Sequence, residues 1–328
     1  MQPTPSDVHV NTPLTNMSIA YIQQASDFIA AQVFPNIPVQ KQSDLYFTYD
    51  RGMFNRDEMR ERAPATESEG SGYTVDATSN YYARHYSFHH DIPDQVRSNA
   101  DHPLSPDRDG TTLVTQKALI RREKIWVSKF FNSGIWAFDW AGVAAGPTGN
   151  QVLQWNDVNS NPIEDVRKFK RTMKESTGFE PNKLVLGRAV YDTLLDHPDF
   201  IDRVKYGQTS GGPAMISRNN MAALFEIDQI LVMNAIENTA KEGLTNVHAF
   251  IGGKKALLAY APPSPSILTP SAGYTFSWTG LIGSGVEGNR IRTFRMEQLL
   301  SDRIEIDIAF DMKPVCLDCG FFLNTIVA

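Results

Sequence analysis

The clearest periodicity lies near the C-terminus, where Ile304, Ile306, Ile308 and Phe310 alternate with Arg303, Glu305 and Asp307. A period of two predicts a strand with one buried face, and a second strand is expected over 321–327. Elsewhere the spacing is helical. Ile19, Ile22, Ile29 and Val33 share one face of the stretch 15–35, which predicts an amphipathic helix of about four turns ended by Pro35. Residues 110–132 predict a long helix carrying Leu113, Val114, Ala118, Ile125 and Phe131 among many charges, with Gly134 closing it. A third helix starts after Asn161: Pro162 takes the first helical position, Glu164 is placed for a capping box, and Ile163, Val166, Phe169 and Met173 turn inward until Gly178. Short elements then alternate, with strands at 183–186, 229–233, 247–251 and 256–260 and helices at 188–195 and 219–226. Pro262, Pro263, Pro265 and Pro270 mark a linker.

One segment, 44–91, fits neither pattern. It holds two branched aliphatics, Leu45 and Val75, but nine aromatics: Tyr46, Phe47, Tyr49, Phe54, Tyr73, Tyr81, Tyr82, Tyr86 and Phe88. Its middle carries Arg51, Arg56, Arg60 and Arg62 among six acids and runs into Gly70 and Gly72. The flanks suit strands, so the segment reads as a long two-stranded hairpin with a charged tip. An isolated hairpin is marginal in water, and two aliphatics cannot offset the entropy of ordering it. The hairpin therefore needs a surface supplied from elsewhere, and its aromatics and arginines are the residue types enriched where proteins meet.

Composition narrows the class. With 328 residues and 41% hydrophobic side chains the chain can bury a sizeable core, in two domain-sized bodies. Thirty-one basic against 37 acidic residues leave a net charge of -6, which argues against a protein that grips nucleic acid over its whole surface. Local basic stripes exist: Arg121, Arg122 and Lys124 on the long helix, and Arg167, Lys170, Arg171 and Lys174 opposite the apolar stripe of the third. Solvated helix faces explain such runs most often; non-specific contact with phosphates is the alternative. Two cysteines cannot build a disulfide scaffold, and neither an apolar signal segment near the start nor a run long enough to span a membrane is found, so a soluble protein of a reducing compartment is expected.

Candidate chemistry is thin. Gly283, Gly285 and Gly288 have dinucleotide-loop spacing, but the following 289–298 has no apolar helical face, so a turn between strands is the better reading. Cys316 and Cys319 have the spacing of half a zinc site or of a redox pair, yet no second pair completes a zinc site, and a strand-like tail follows; two ordinary thiols are expected. His85, His89 and His90 invite a metal-dependent enzyme. On a strand, however, His89 and His90 point to opposite faces, and His85 and His89 stand about 13 Å apart, too far for one ion. No nucleophile elbow or phosphate loop is present. No catalytic, cofactor or metal residue is assigned, and the chain is read as a non-enzyme.

Taken together, and most specifically in Asn161-Pro-Ile-Glu-Asp165, the stretch 177–187 (Thr-Gly-Phe-Glu-Pro-Asn-Lys-Leu-Val-Leu-Gly), the stretch 190–198, the stretch 253–260, Ser301-Asp-Arg-Ile-Glu305 and Asp318-Cys-Gly-Phe-Phe322, the sequence resembles the major capsid proteins of tailed bacteriophages. The resemblance implies the α+β fold of the Hong Kong 97 type, shared with encapsulin shells. It divides the chain into an N-terminal arm (1–43), an extended hairpin or E-loop (44–92), a peripheral domain with its spine helix (93–154), an axial domain (155–265) and return strands of the peripheral domain (266–328). It further implies self-assembly into hexamers and pentamers of an icosahedral virion shell enclosing double-stranded DNA, formed in the host bacterial cytoplasm with scaffolding, portal and decoration proteins and without a membrane. A long helical scaffolding extension is not seen, so a separate scaffold or a processed chain is expected. Arg51, Arg56, Arg60, Arg62, Tyr46, Phe47 and Phe54 become candidate intersubunit contacts, and the seven basic helix residues candidate DNA-facing positions. The alternatives are an encapsulin-like nanocompartment shell and the metal-dependent enzyme.

Overall fold

Two sheets, each served by a different part of the hydrophobic pattern, share one long helix. The computed structural model describes residues 22–100, 104–207, 217–266, 269–283 and 289–328. In chain order, a short 3-10 turn at Ala25–Asp27 and helix α1 (Ala30–Val33) lead to β1 (Asn36–Val39). A projecting hairpin follows, built from β2 (Ser43–Leu45), β3 (Thr48–Tyr49), α2 (Arg51–Phe54), β4 (Val75–Asp76) and β5 (Asn80–Tyr82). Then come β6 (Arg84–Pro93), α3 (Asp94–Asn99), the long helix α4 (Pro106–Phe130), β7 (Phe138–Val143) and β8 (Gln151–Leu153). The central region holds α5 (Pro162–Thr177), β9 (Lys183–Gly187), α6 (Arg188–Leu195), α7 (Pro198–Gly207), α8 (Arg218–Phe225), β10 (Gln229–Met233), the small hairpin β11 (Ile236–Asn238) with β12 (His248–Phe250), and β13 (Ala256–Ala259). The chain closes with β14 (Gly273–Trp278), α9 (Thr279–Ile282), β15 (Asn289–Met296), β16 (Ser301–Pro314) and β17 (Gly320–Asn324).

The first sheet runs β1-β14-β16-β15, with β6 also paired to β16. The strand read from the Ile304 alternation is β16, and its period of two sorts the side chains: Ile304, Ile306, Ile308 and Phe310 join the core beneath α4, while Arg303, Glu305 and Asp307 line the opposite face. Helix α4 spans about 37 Å at about 1.5 Å per residue. It can cross the sheet closely because position 110 is glycine: a Cβ there would stand 3.0 Å from the His90 ring and 3.2 Å from Ile304 Cδ1.

The second sheet runs β10-β9-β13-β17-β7-β8. Its central strands are apolar at nearly every position, as strands covered on both faces must be. Alternation still decides which core each residue enters. Leu184 and Leu186 pack with Ile163, Val166, Phe169 and Met173 of α5, whereas Val185 between them faces Trp126, Phe130 and Phe131 at the end of α4.

Several expectations need correction. The continuous helix over 15–35 is not formed across its described part: residues 22–34 hold only the 3-10 turn and the four residues of α1, and 15–21 lie outside the described residues. The described end of the arm is built into the body instead: Phe28, Ile29, Ala30, Val33 and Phe34 are buried, Phe34 against Trp126 and Phe130. A single turn cannot support itself, and distant side chains satisfy both its ends. The Glu123 carboxylate accepts from the backbone N–H of Ile29 (3.3 Å) and Ala30 (2.9 Å). Lys183 Nζ donates to the carbonyls of Gln32 and Val33, both at 2.7 Å. The capping box is absent too: the Asn161 side chain makes no cap bond, and α5 is begun by Pro162 and ended by Gly178 in the left-handed region. Finally, the hairpin occupies 43–82 rather than 44–92, because 84–93 form β6 within the first sheet.

Candidate self-assembly surface

The hairpin is anchored at its base and bare at its end. At the base, β2 pairs antiparallel with β5, and Tyr81 stacks on Phe276 of β14 with ring centroids 4.7 Å apart and planes 9° apart. Tyr46, a candidate contact residue, also stacks on Phe276 at 5.6 Å, so it holds the hairpin to the body instead of facing outward. Beyond it, β3 pairs with β4 for two residues only, and Asp50 caps α2 by accepting from the Gly52 N–H at 3.1 Å. Residues 55–74 have neither helix nor strand.

Apolar surface concentrates here. Phe47 is 68% exposed, Phe54 61% and Met59 93%. Phe54, Tyr49 and Tyr73 meet ring to ring, with centroids 5.9–6.0 Å apart, which makes an aromatic knob standing in solvent. Around it the charges remain within the tip: Arg56 lies 3.4 Å from Glu58, and Arg62 Nε donates to the Thr66 carbonyl at 2.5 Å. Arg60 is exposed, and Arg51 begins α2. The structure thus gathers Phe47, Phe54, Arg56, Arg60 and Arg62 on one projection. Sequence reasoning missed Tyr49 and Tyr73 as members of the knob, although both stood in the aromatic count; their meeting depends on the β3–β4 register.

The basic residues do not form a common stripe. Lys170, read as solvent-facing, is buried: its Nζ donates to the carbonyls of Phe225 (3.3 Å) and Glu226 (2.8 Å) at the C-terminus of α8, and it lies 3.4 Å from the Glu226 carboxylate. The end of a helix presents unpaired carbonyls and partial negative charge, which a lysine satisfies. Lys255 does the same for α4, donating to Phe131 O at 3.2 Å and Asn132 Oδ1 at 2.9 Å. Lys174 pairs with Glu180 at 2.6 Å, and Lys124 pairs with Glu237. Arg121 lies over the Tyr86 ring and Arg122 over the Phe310 ring, both facing the first sheet. Arg167 and Arg171 remain exposed on α5.

The polar face of the first sheet is an ion network. Asp307, fully buried, receives His85 Nε2 at 3.0 Å, Arg290 Nη2 at 3.3 Å and Arg292 Nη2 at 2.8 Å. Arg303 grips Asp91 with two bonds, at 2.6 and 2.8 Å, and these hold the Asp91 carboxyl below the usual carboxylate range. Arg295 does likewise to Asp94, and Arg97 to Asp302. A buried carboxylate persists when paired and hydrogen-bonded, and this network gives the histidine segment its role. His85 serves Asp307, and His89 lies 4.0 Å from Asp91. Among the described residues, no group of three or more His, Cys, Asp or Glu could hold a metal ion.

Other candidate chemistry resolves locally. Ser160 Oγ lies 3.1 Å from His197 Nε2, a contact the sequence did not single out. It is not a nucleophile and base: His197 Nδ1 accepts from the Asp199 N–H at 3.1 Å, so the ring proton sits on Nε2, which cannot take the serine proton. Ser160 Oγ instead donates to the Asp157 carbonyl at 2.7 Å. Gly285 and Gly288 lie outside the described residues, and the element after them is strand β15, not a nucleotide-binding helix. The two cysteines, expected as ordinary thiols, have their Sγ atoms 2.8 Å apart. No described helix is long and apolar enough to cross a membrane.

Comparison with known proteins agrees with the expected architecture. Residues 149–264 match the family described as Phage major capsid protein E. Over 97% of its length the chain is 23% identical to the major capsid protein of Burkholderia phage BcepMu, covering 96% of that protein. It is 26% identical to the major capsid protein of Pseudomonas phage JBD67, over 97% of each chain. Among solved structures, a subunit of the mature capsid of bacteriophage PhiM1 superposes with a TM-score of 0.61 at 11% identity, covering 97% of this chain and 92% of that one.

Proposed function

We infer that this chain, a phage major capsid protein with the Hong Kong 97-type α+β fold, closes with copies of itself into an icosahedral head. The observation that carries the mechanism is the hairpin. Its base is stacked on β14, while its outer half exposes Phe47, Phe54, Tyr73 and Met59, which the described residues leave uncovered. An exposed apolar patch rimmed by charge is a contact surface. A neighbouring copy supplies the cover, so the ordering cost of 55–74 is met in trans, and repetition around closed symmetry leaves no hairpin uncovered. Arg51, Arg56, Arg60 and Arg62 exchange acidic partners across this contact, which adds register more than affinity.

The remaining assignments follow from this reading. The arm (1–43), hairpin, peripheral region (93–154 and 266–328) and axial region (155–265) act as the parts of a shell subunit, grouped in hexamers and pentamers. Scaffolding, portal and decoration proteins are its partners, and the head assembles in the host cytoplasm and encloses double-stranded DNA. Contact with that DNA is non-specific and uses Arg167 and Arg171, exposed on α5; Lys124 and Lys174 are exposed too but pair with Glu237 and Glu180, and Lys170 is withdrawn because it caps α8. The test is negative-stain electron microscopy of the expressed protein, with nucleic-acid absorbance of particles recovered from infected cells. Closed shells with absorbance dominated by nucleic acid are expected. Shells filled with protein would contradict the DNA-enclosing role, and a chain that never forms shells would contradict assembly.

A further inference from the structure

The chain crosses from the first sheet to the second between β16 and β17, and both cysteines sit in that crossing. Cys319 N–H donates to the Cys316 carbonyl at 3.1 Å, closing a one-turn 3-10 helix, Leu317–Cys319, that puts the two side chains on the same side. The turn is pinned from three directions: Cys316 N–H donates to Ser271 O at 3.2 Å, Tyr260 N–H to Cys319 O at 3.0 Å, and Ala137 N–H to Leu317 O at 3.2 Å. Gly320, next in line, presses on Trp136 so closely that a Cβ would stand 2.1 Å from the ring. The backbone frame holds the two cysteines side by side. Their Sγ atoms stand 2.8 Å apart, about 0.8 Å from the bonded distance of about 2.0 Å.

We propose that Cys316 and Cys319 are an oxidative modification site, a dithiol that closes to an intrachain disulfide by exchange with a low-molecular-weight disulfide. This goes beyond the capsid reading and rests on the thiol geometry alone. Unequal burial sets the order of events: Cys316 is partly exposed and Cys319 fully buried. The Cys319 thiol donates to Cys316 Sγ and holds the Cys316 thiol below its ordinary range. The Cys316 thiolate attacks one sulfur of an oxidised glutathione-type disulfide, forming a mixed disulfide and releasing one glutathione thiolate, which takes up a proton. Cys319 then loses its proton and attacks Cys316 Sγ, expelling the second glutathione. In balance, two protein thiols are oxidised by two electrons and one small disulfide is reduced to two thiols. The product joins the end of β16 to the start of β17 and fixes the crossing between the sheets.

The experiment incubates the full-length protein with oxidised glutathione, then alkylates it in denaturant, with and without prior reduction, and weighs it. The wild-type chain is expected to lose about 2 Da and both alkylatable thiols, and to regain them on reduction. Cys319→Ser is expected to trap a glutathione adduct of about 305 Da on Cys316, and Cys316→Ser to take up at least tenfold less. A wild-type chain that keeps two alkylatable thiols, or links only between chains on a non-reducing gel, overturns the proposal without reference to either variant. Equal modification of the two variants overturns the assigned order of attack.

Discussion

Glu123 shows how much one side chain can decide. It is wholly buried in α4, and burial pushes its carboxyl up to about 7 in spite of the two backbone N–H groups it accepts from α1 and the nearby Arg122. A raised carboxyl pKa means that the folded chain holds a proton the unfolded chain releases. Its stabilising contribution is complete below about pH 4.5 and is lost as the pH rises to about 7, a change of about 3 kcal/mol. Glu123→Gln is therefore expected to flatten the stability-against-pH curve between those limits, as read by urea denaturation at several pH values. Glu123→Ala loses the same titration and also leaves the Ile29 and Ala30 N–H groups buried without that acceptor, so it is expected to be less stable than Glu123→Gln by about 1–3 kcal/mol at every pH. Asp91, Asp94 and Asp302 act in the opposite sense. Their arginine partners depress them, so their contribution is present above the ordinary carboxylate range and disappears on acidification below about pH 4. Lys170→Met removes the donor at the end of α8 and is expected to cost about 1–2 kcal/mol in the same assay.

At the scale of elements, the hairpin and the body part company. The base rings form a small core of Tyr81, Tyr274 and Phe276, whereas 55–74 contribute nothing to any core. Trypsin is expected to cut the soluble subunit first at Arg56, Arg60 or Arg62 and to leave the two-sheet body intact; cleavage that begins instead within α5 or β9 would refute that ranking. Tyr81→Ala is expected to cost about 2–4 kcal/mol and to speed amide exchange in β2 and β5. How far these elements could be read beforehand depended on where their stabilisation lies. Helix α6 and strand β10 were legible to the residue, because each carries its own periodicity and clear stops. Strand β7 was not: the alternation of Phe-Asp-Trp-Ala-Gly-Val stops at Ala-Gly, and neighbouring strands make it a strand; β14 does alternate, Tyr274, Phe276 and Trp278 with Thr275 and Ser277, a five-residue signal that follows directly on the proline-rich linker. The arm was misread for a related reason, since Ile22, Ile29 and Val33 mimic a helical stripe while the actual turn is held by Glu123 and Lys183, each more than ninety residues away. Composition marked the hairpin as a candidate contact element. It could not reveal that Tyr46 faces inward, because the Phe276 ring that takes it comes from a strand more than two hundred residues further along the chain.

For the molecule as a whole, stability and assembly are separable. The two sheets and α4 form a body with two large cores, and the proposed contact surface projects from it on one stalk. Replacing Phe47 and Phe54 together by serine is expected to leave the thermal midpoint within about 2 °C, as for exposed positions generally, while particle yield falls at least tenfold. The most direct measurement is hydrogen exchange of the amides between 55 and 76 in the free subunit and in closed particles. Exchange near the unprotected rate in the subunit, slowed at least a hundredfold in the particle, is the predicted result. Equal protection in both states would mean that the projection is stable without neighbours, and the account of assembly would fail.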